Sequence, residues 1–514
     1  MSSRRSFVRC LGFAAVAAMT MTVMVSSAPP LGATSATKPA RSLQPTEVNV
    51  SRDPTNRYGE PQIAVNPKNP NNLAYAVLAI GVTYACQRQQ RPECEQAHSV
   101  YGPQPRALIE NKPGFSHVRV YVSFDRGKTW RQSKVPAVPP DHPVLVERGD
   151  PLITAGPDGT FYLGWDAIRF CDCPTTIIDA GGIAVSKSTN GGRTWSKPVL
   201  SGTPVDRPFF AVDQSTGTIY EASTGQLGAN SKGDPNLPEL AIGGPGSDRW
   251  LVASRDGVHW SDPKPFGGFT GIGGFGDAAR GTYATAFKVS KPELCGGAAQ
   301  CTLFQTTNDQ ATTWSRHMLP IPADASGTPL VAADPTKSGH FTVAVQSAAR
   351  TQFLVYVTDD GGSTWSQPTM VADDASKTHY HAWMSYSAKG VLGLMWQTNV
   401  GSGSAPRAGS LPAVAPEAVE EDARAAVTEQ AAGGPSPYNV WAATSADGGV
   451  TFSKPLQVSR ANSPAPQVGL PFGIADDFSF IALSPKYAFV AWADYRPGDR
   501  SAFFSAINLQ AFRQ

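Results

Sequence analysis

Six copies of one short pattern punctuate this chain of 514 residues, and a unit recurring every several dozen residues constrains the architecture before any other signal does. The clearest copy is Ser188-Thr189-Asn190-Gly191-Gly192-Arg193-Thr194-Trp195. Close relatives begin at Ser123, Thr358 and Ser445, and two worn copies begin at Thr307 and at Ser254, the last one residue short. Their third positions are Asp125, Asn190, Asp256, Asp309, Asp360 and Asp447. An Asp or Asn there accepts hydrogen bonds from nearby backbone amides and closes a tight turn. Glycine follows it where the backbone needs a positive φ, and the terminal aromatic anchors the returning strand by burial. A β-rich run precedes each copy, such as Val118-Arg119-Val120-Tyr121-Val122, so each is expected to be a hairpin turn in its own small sheet.

The pattern resembles the Asp box, S-x-D-x-G-x-T-W, of the sialidase-like β-propellers (the BNR repeat). That resemblance implies an all-β ring of four-stranded antiparallel blades with the box between third and fourth strands. Inner strand pairs can then be read backward from each box: Pro61–Val65 with Leu73–Leu78, Pro151–Ala155 with Phe161–Trp165, and Pro208–Val212 with Thr218–Ala222. Thr282–Val289 follows a less distinct start, then Pro329–Ala333 with Phe341–Gln346 and His381–Tyr386 with Val391–Gln397. Three further strands, Phe478–Leu483, Ala488–Asp494 and Ala502–Asn508, lack a box after them. The segment Glu47–Ser51 is expected to supply their missing outer partner and close the ring. The count is then seven blades, where sialidases have six; six blades with a C-terminal extension is the alternative.

The N-terminus reads as a targeting segment. Arg4-Arg5 followed by an apolar run from Leu11 to Val25 looks like a twin-arginine signal, with cleavage expected after Ala36. The expected organisation is a signal at 1–36, a flexible flank at 37–45 and a single propeller at 46–514, with insertions at 80–116, 223–248 and 398–438. The mature protein is expected to be secreted and monomeric. Formal net charge is +2 with no basic run, which argues against nucleic acid or an anionic membrane as partner. Six cysteines follow the signal; Cys295 and Cys301 suit one small disulfide loop, while Cys86, Cys94, Cys171 and Cys173 leave their pairing open. Residues 416–432 read as a helix within the longest insertion, or as a solvated loop.

Loops entering the innermost strands share a face with the insertions, opposite the boxes, and this is where loops elaborate function. The residues there are Glu60, Asp150, Asp206 with Arg207, Asp277, His379 with His381, and Asp476 with Asp477. Carboxylates gathered at a channel mouth suit acid–base chemistry on a sugar, with Glu60, Asp150, Asp206 and Asp477 the first choices. No cofactor is required, and Ca²⁺ is the cation such oxygens would suit. The sialidase likeness further implies a Y/F-R-I-P motif whose Arg clamps a carboxylate. The matching stretch is Tyr58-Gly59-Glu60-Pro61, with Gly59 in the arginine's place. Arg207, Arg280 and Arg496 are candidates for the other clamp positions by location. A second constellation is His379-Tyr380-His381, whose alternation would turn both imidazoles to one side as some polysaccharide lyases require. Trp165, Trp383, Trp396, Trp492 and Tyr495 offer rings for carbohydrate or for packing between blades. The expected partner is an extracellular glycan, met by a glycoside hydrolase; a glycan- or protein-binding propeller and a lyase are the alternatives.

Overall fold

The computed structural model describes residues 45–53, 56–80, 116–135, 146–170, 178–204, 207–225, 248–267, 275–322, 324–400, 437–464, 479–498 and 500–513. Seven four-stranded antiparallel sheets follow one another along the chain. Their innermost strands are Arg57–Val65, Val146–Ala155, Phe209–Val212, Gly276–Ala279, Ser326–Ala333, His379–Tyr386 and Phe480–Leu483. Each innermost strand touches the next, and the seventh returns to the first, so the sheets form a closed seven-bladed propeller. The blades are numbered in that order below. The signal segment, the flank before Pro45, Cys86, Cys94, Cys171, Cys173 and the 416–432 segment lie outside the described residues. Cys295 and Cys301 are bonded, with Cα atoms 5.4 Å apart.

Blade 7 is completed from the other end of the chain. Thr46–Asn49 pairs antiparallel with Ser501–Asn508, in the register Thr46↔Ala506 to Asn49↔Phe503. The seam has a charged clasp. Arg496 donates to both carboxyl oxygens of Asp494, at 2.9 and 2.7 Å, and reaches Glu47 Oε1 at 2.9 Å. Asp494 is fully enclosed and Glu47 nearly so, and the second oxygen of Glu47 accepts the Arg460 amide at 2.9 Å. Tyr75 of blade 1 donates its hydroxyl to the Phe503 carbonyl at 3.0 Å, locking blade 7 to blade 1.

The boxes do more than turn the chain. In blade 1, Ser123 Oγ donates to Asp125 Oδ1 at 2.8 Å and accepts the Gly127 amide at 2.7 Å, while Thr129 donates its amide and hydroxyl to the two carboxyl oxygens of Asp125. The same circuit recurs at Asp309, Asp360 and Asp447. Asn190 reproduces it with an amide, donating to Thr194 Oγ1 at 2.7 Å. In the short box His259 replaces the threonine, with its imidazole 2.7 Å from Asp256.

The fifth residue of each full box then meets the blade before it. A Cβ on Gly127 would stand 2.1 Å from Phe504 of blade 7, and one on Gly192 2.4 Å from Val122 of blade 1. Gly362 bears in the same way on Phe304 of blade 4, and the one glycine of the short box, Gly257, on Tyr162 of blade 2. The box closes a hairpin and clears a seat for the neighbouring blade.

Long strands replace the short ones expected. Blade 1 begins its inner strand at Arg57 rather than Pro61, and blade 2 at Val146 rather than Pro151, because a register shift lets pairing continue upstream of each proline.

Three outcomes follow from these contacts. Arg496→Met strands the enclosed Asp494 charge and should lower the unfolding free energy by roughly 2–3 kcal/mol, toward the low end because Arg496 is partly exposed, read from denaturant curves. Gly192→Ala meets both a φ of +86° and Val122, and should cost about 1–3 kcal/mol in the same measurement. Hydrogen bonds from the Thr364 hydroxyl and amide hold the Asp360 carboxyl down to about 2, from 3.8. A depressed folded-state value contributes stability above the unfolded value and loses it as pH falls through the folded one. Melting temperature should therefore drop between about pH 4 and pH 2, and Asp360→Asn, which copies the natural Asn190 box, should flatten that slope.

Candidate functional site

Four residues at one structural step ring the channel mouth. Glu60, Asp150, Arg207 and His381 stand at the entry of the inner strands of blades 1, 2, 3 and 6, with φ values of 53°, 46°, 44° and 47°. In blades 1, 2 and 6 the ladder shifts register at that step, between Gly59 and Gln62, Gly149 and Leu152, and Tyr380 and Trp383. Blade 5 places Gly327, φ 73°, within the corresponding shift between Ser326 and Leu330. Glycine takes this conformation freely; a branched or charged residue does so at about 1–3 kcal/mol each. Proline follows three of the four, at Pro61, Pro151 and Pro208, and restricts them further. Strain of this kind persists where surrounding structure imposes it, and it gathers at functional sites.

The ring is tied together. The Arg207 amide donates to Asp150 Oδ2 at 3.1 Å, and the Ile153 amide of blade 2 donates to Gln62 Oε1 of blade 1 at 3.2 Å. Glu60 is buried at 5% exposure, whereas Asp150 and His381 are half-buried. The two carboxyl groups thus occupy unlike surroundings.

Beneath the mouth the channel is filled by rings. Phe209 of blade 3 lies 5.1 Å from Trp383 of blade 6 and 6.5 Å from Phe480 of blade 7, centroid to centroid. Phe275, beside the inner strand of blade 4, packs on Phe209 and Trp383 at 5.5 Å, and Trp383 stacks on Phe480 at 4.1 Å. Blades 3 and 7 are not neighbours in the ring, so these contacts cross the axis. The outcome is a polar rim above an aromatic floor.

Other candidates go elsewhere. His379 is a core residue at 3% exposure, with Nδ1 2.9 Å from Thr398 Oγ1 and Nε2 2.8 Å from the Ala372 carbonyl; burial depresses its pKa. The register shift after Tyr380 breaks the alternation that was to align the two histidines, so only His381 reaches the rim. Arg280 sits in the turn after the blade 4 inner strand, on the box face, where its amide bonds Asp213. Arg496 is committed to the seam. Asp277 accepts the Ala278 and Ala333 amides at 2.8 and 2.9 Å, and burial pushes its carboxyl up to about 7 against them. Trp165, Trp396 and Trp492 are enclosed core rings, and Trp492 donates to Asp494 at 2.8 Å. Asp206, Asp476 and Asp477 lie outside the described residues. Among the described residues no group of three or more His, Cys, Asp or Glu gathers as metal ligands would, and no helix is long and apolar enough to cross a membrane.

Phe209, Phe275 and Phe480 were not singled out from sequence, though a signal existed: Phe209 and Trp383 each follow a rim residue by two positions.

Residues 121–132 match the model of the BNR/Asp-box repeat. No curated protein matches the chain by sequence. Among solved structures, a Hadza microbial sialidase is similar over 91% of this chain and 96% of its own, at 15% identity and a TM-score of 0.42. The α-L-arabinofuranosidase Arb93A of Fusarium graminearum is similar over 69% and 92%, at 16% identity and 0.39. A protein of unknown function from Dyadobacter fermentans is similar over 90% and 97%, at 11% identity and 0.43. The architecture rests on the seven sheets and the repeated box circuit rather than on these scores. By its repeat and its sheets, the chain is a seven-bladed β-propeller whose blades carry Asp-box turns.

Proposed function

We propose that this chain is a secreted glycoside hydrolase acting on an extracellular glycan at the channel mouth. The observation that supports it is the shared strained conformation of Glu60, Asp150, Arg207 and His381 around one rim. Two carboxyl groups in different surroundings can divide the labour of glycosidic cleavage: Glu60, enclosed, protonates the departing oxygen, and Asp150, half-exposed, stabilises or attacks the cationic sugar carbon. Arg207 orients the sugar from beside Asp150, and the ring floor receives the apolar face of a pyranose or furanose. Export by the twin-arginine segment fits such a substrate.

A binding propeller is the second reading, favoured by Gly59, which cannot supply the bidentate clamp an arginine gives. A lyase has less support with His379 tied up in the core.

A glycan library with product analysis by mass spectrometry separates these. Hydrolysis is expected, and Glu60→Gln and Asp150→Asn should each lower kcat about 10²–10⁴-fold with the far-ultraviolet spectrum unchanged. Release of sialic acid from a fluorogenic sialoside, abolished by Arg207→Ala, would narrow the substrate to sialosides. Tight binding without turnover of any glycan would sink the enzyme reading, and an unsaturated uronate product lost in His381→Ala would replace hydrolysis with elimination.

A further inference from the structure

The interface between blades 3 and 4 carries a polar layer that the rim chemistry does not use. Tyr283 and Thr285 lie two residues apart on the second strand of blade 4, in an uninterrupted register, and so face the same way. That face is toward blade 3, because the Tyr283 ring packs on Tyr220 at 5.1 Å. Both side chains are enclosed, at 1% and 0% exposure, and neither hydroxyl has a hydrogen-bond partner among the described residues. Thr224 of blade 3 presents a third such hydroxyl. Buried hydroxyls are rarely left this way.

The surroundings select what would satisfy them. Next to Thr285 on the neighbouring strand, Gln305 is engaged elsewhere, donating to the Phe266 carbonyl at 2.8 Å and accepting from Arg316 at 3.1 Å. On the inner side the Tyr283 hydroxyl lies over Gly276, where a Cβ would come within 2.3 Å of it. Arg249, 7% exposed, places its guanidinium 5.8 Å from the Phe275 ring centre, beside that glycine. We propose that blades 3 and 4 hold a small monovalent anion, of the size of chloride or bromide, against the Tyr283 and Thr285 hydroxyls in the field of Arg249. Hydroxyl and guanidinium groups donate to an anion at once, and such bonds are stronger than neutral ones.

The electrostatics agree. Burial raises the Tyr283 phenol, and the influence opposing it is the Arg249 cation; Asp277, Glu221 and Tyr220 act in the raising direction. Burial pushes the Asp277 carboxyl up to about 7 and the Glu221 carboxyl up to about 8, the latter against hydroxyls of Thr203 and Ser201. Below those values the two carboxyls are neutral and do not oppose an incoming anion. Above them, two negative charges oppose it. The site does not depend on the glycosidase reading, since neither Tyr283 nor Thr285 stands at the rim.

Crystals of the full chain soaked in sodium bromide test it by anomalous scattering. A bromide peak in contact with both hydroxyls is expected; water alone at that position overturns the proposal. In solution, melting temperature should rise saturably in bromide relative to gluconate at equal ionic strength. The affinity should weaken about tenfold in Thr285→Val, one charge-assisted hydrogen bond's worth, and should fall between pH 6 and pH 9. Thr285→Val keeps the side-chain shape, so it serves where Tyr283→Phe disturbs packing. A bromide response undiminished in a folded Thr285→Val protein would also overturn the site.

Discussion

Pairing of Thr46–Asn49 with Ser501–Asn508 sets the geometry of everything else in this molecule. Seven sheets stacked side by side leave two open faces unless the last meets the first, and an open face exposes both apolar surface and unpaired strand edge. Here the last blade is finished by the first strand of the chain, so the ring cannot open without losing that strand's ladder. Arg496 concentrates the closure in one place by joining Asp494, on the second strand of blade 7, to Glu47 on the arriving strand. A guanidinium suits this position because its fork spans one carboxylate bidentately while a third donor reaches another. With closure fixed, seven inner strands must converge on one axis, and whatever enters those strands converges with them.

The boxes distribute the remaining constraint. Each carboxylate or amide at the third position gathers hydroxyl and amide donors from its own turn, which makes the turn rigid without help from elsewhere. The fifth-position glycine uses that rigidity, since without a Cβ it lets Phe504, Val122 or Phe304 press close against the backbone of the next blade. Blade 4 has Ala311 there instead, at φ 66° and buried among blade 3 residues including Tyr220, so its worn box keeps the contact with a methyl group. The boxes thus brace one face of the ring, and the rim residues stand at the opposite one.

This division explains which parts of the molecule were legible in the chain. A box is a local object, a cluster of side-chain hydrogen bonds within eight residues, and its spacing counted the blades and exposed the box-less seventh. The strand-entry positions of Glu60, Asp150 and Arg207 were also legible, because an acidic or basic residue before proline is a local pattern. The histidine pair was misjudged for a local reason too: alternation holds only in a regular ladder, and the shift between Tyr380 and Trp383 sends His379 into the core. The aromatic floor was hidden for a different reason. Phe209, Phe275, Trp383 and Phe480 come from blades 3, 4, 6 and 7, and no spacing along the chain announces contacts that exist only across a closed ring.

The floor and the strained rim are consequences of the same closure. A residue held at a φ near 50° relaxes unless its strand is fixed on both sides, and here each strained strand is gripped by a neighbour in the ring and by its own second strand. At about 1–3 kcal/mol each, four such residues represent a cost comparable to the net stability of many domains. Glycine takes such a φ without that cost, as Gly327 does beside the corresponding shift in blade 5. Blades 1, 2, 3 and 6 instead keep a glutamate, an aspartate, an arginine and a histidine at that step, with side chains that glycine could not provide. The stability supplied by box and seam is what lets the rim carry four strained side chains together.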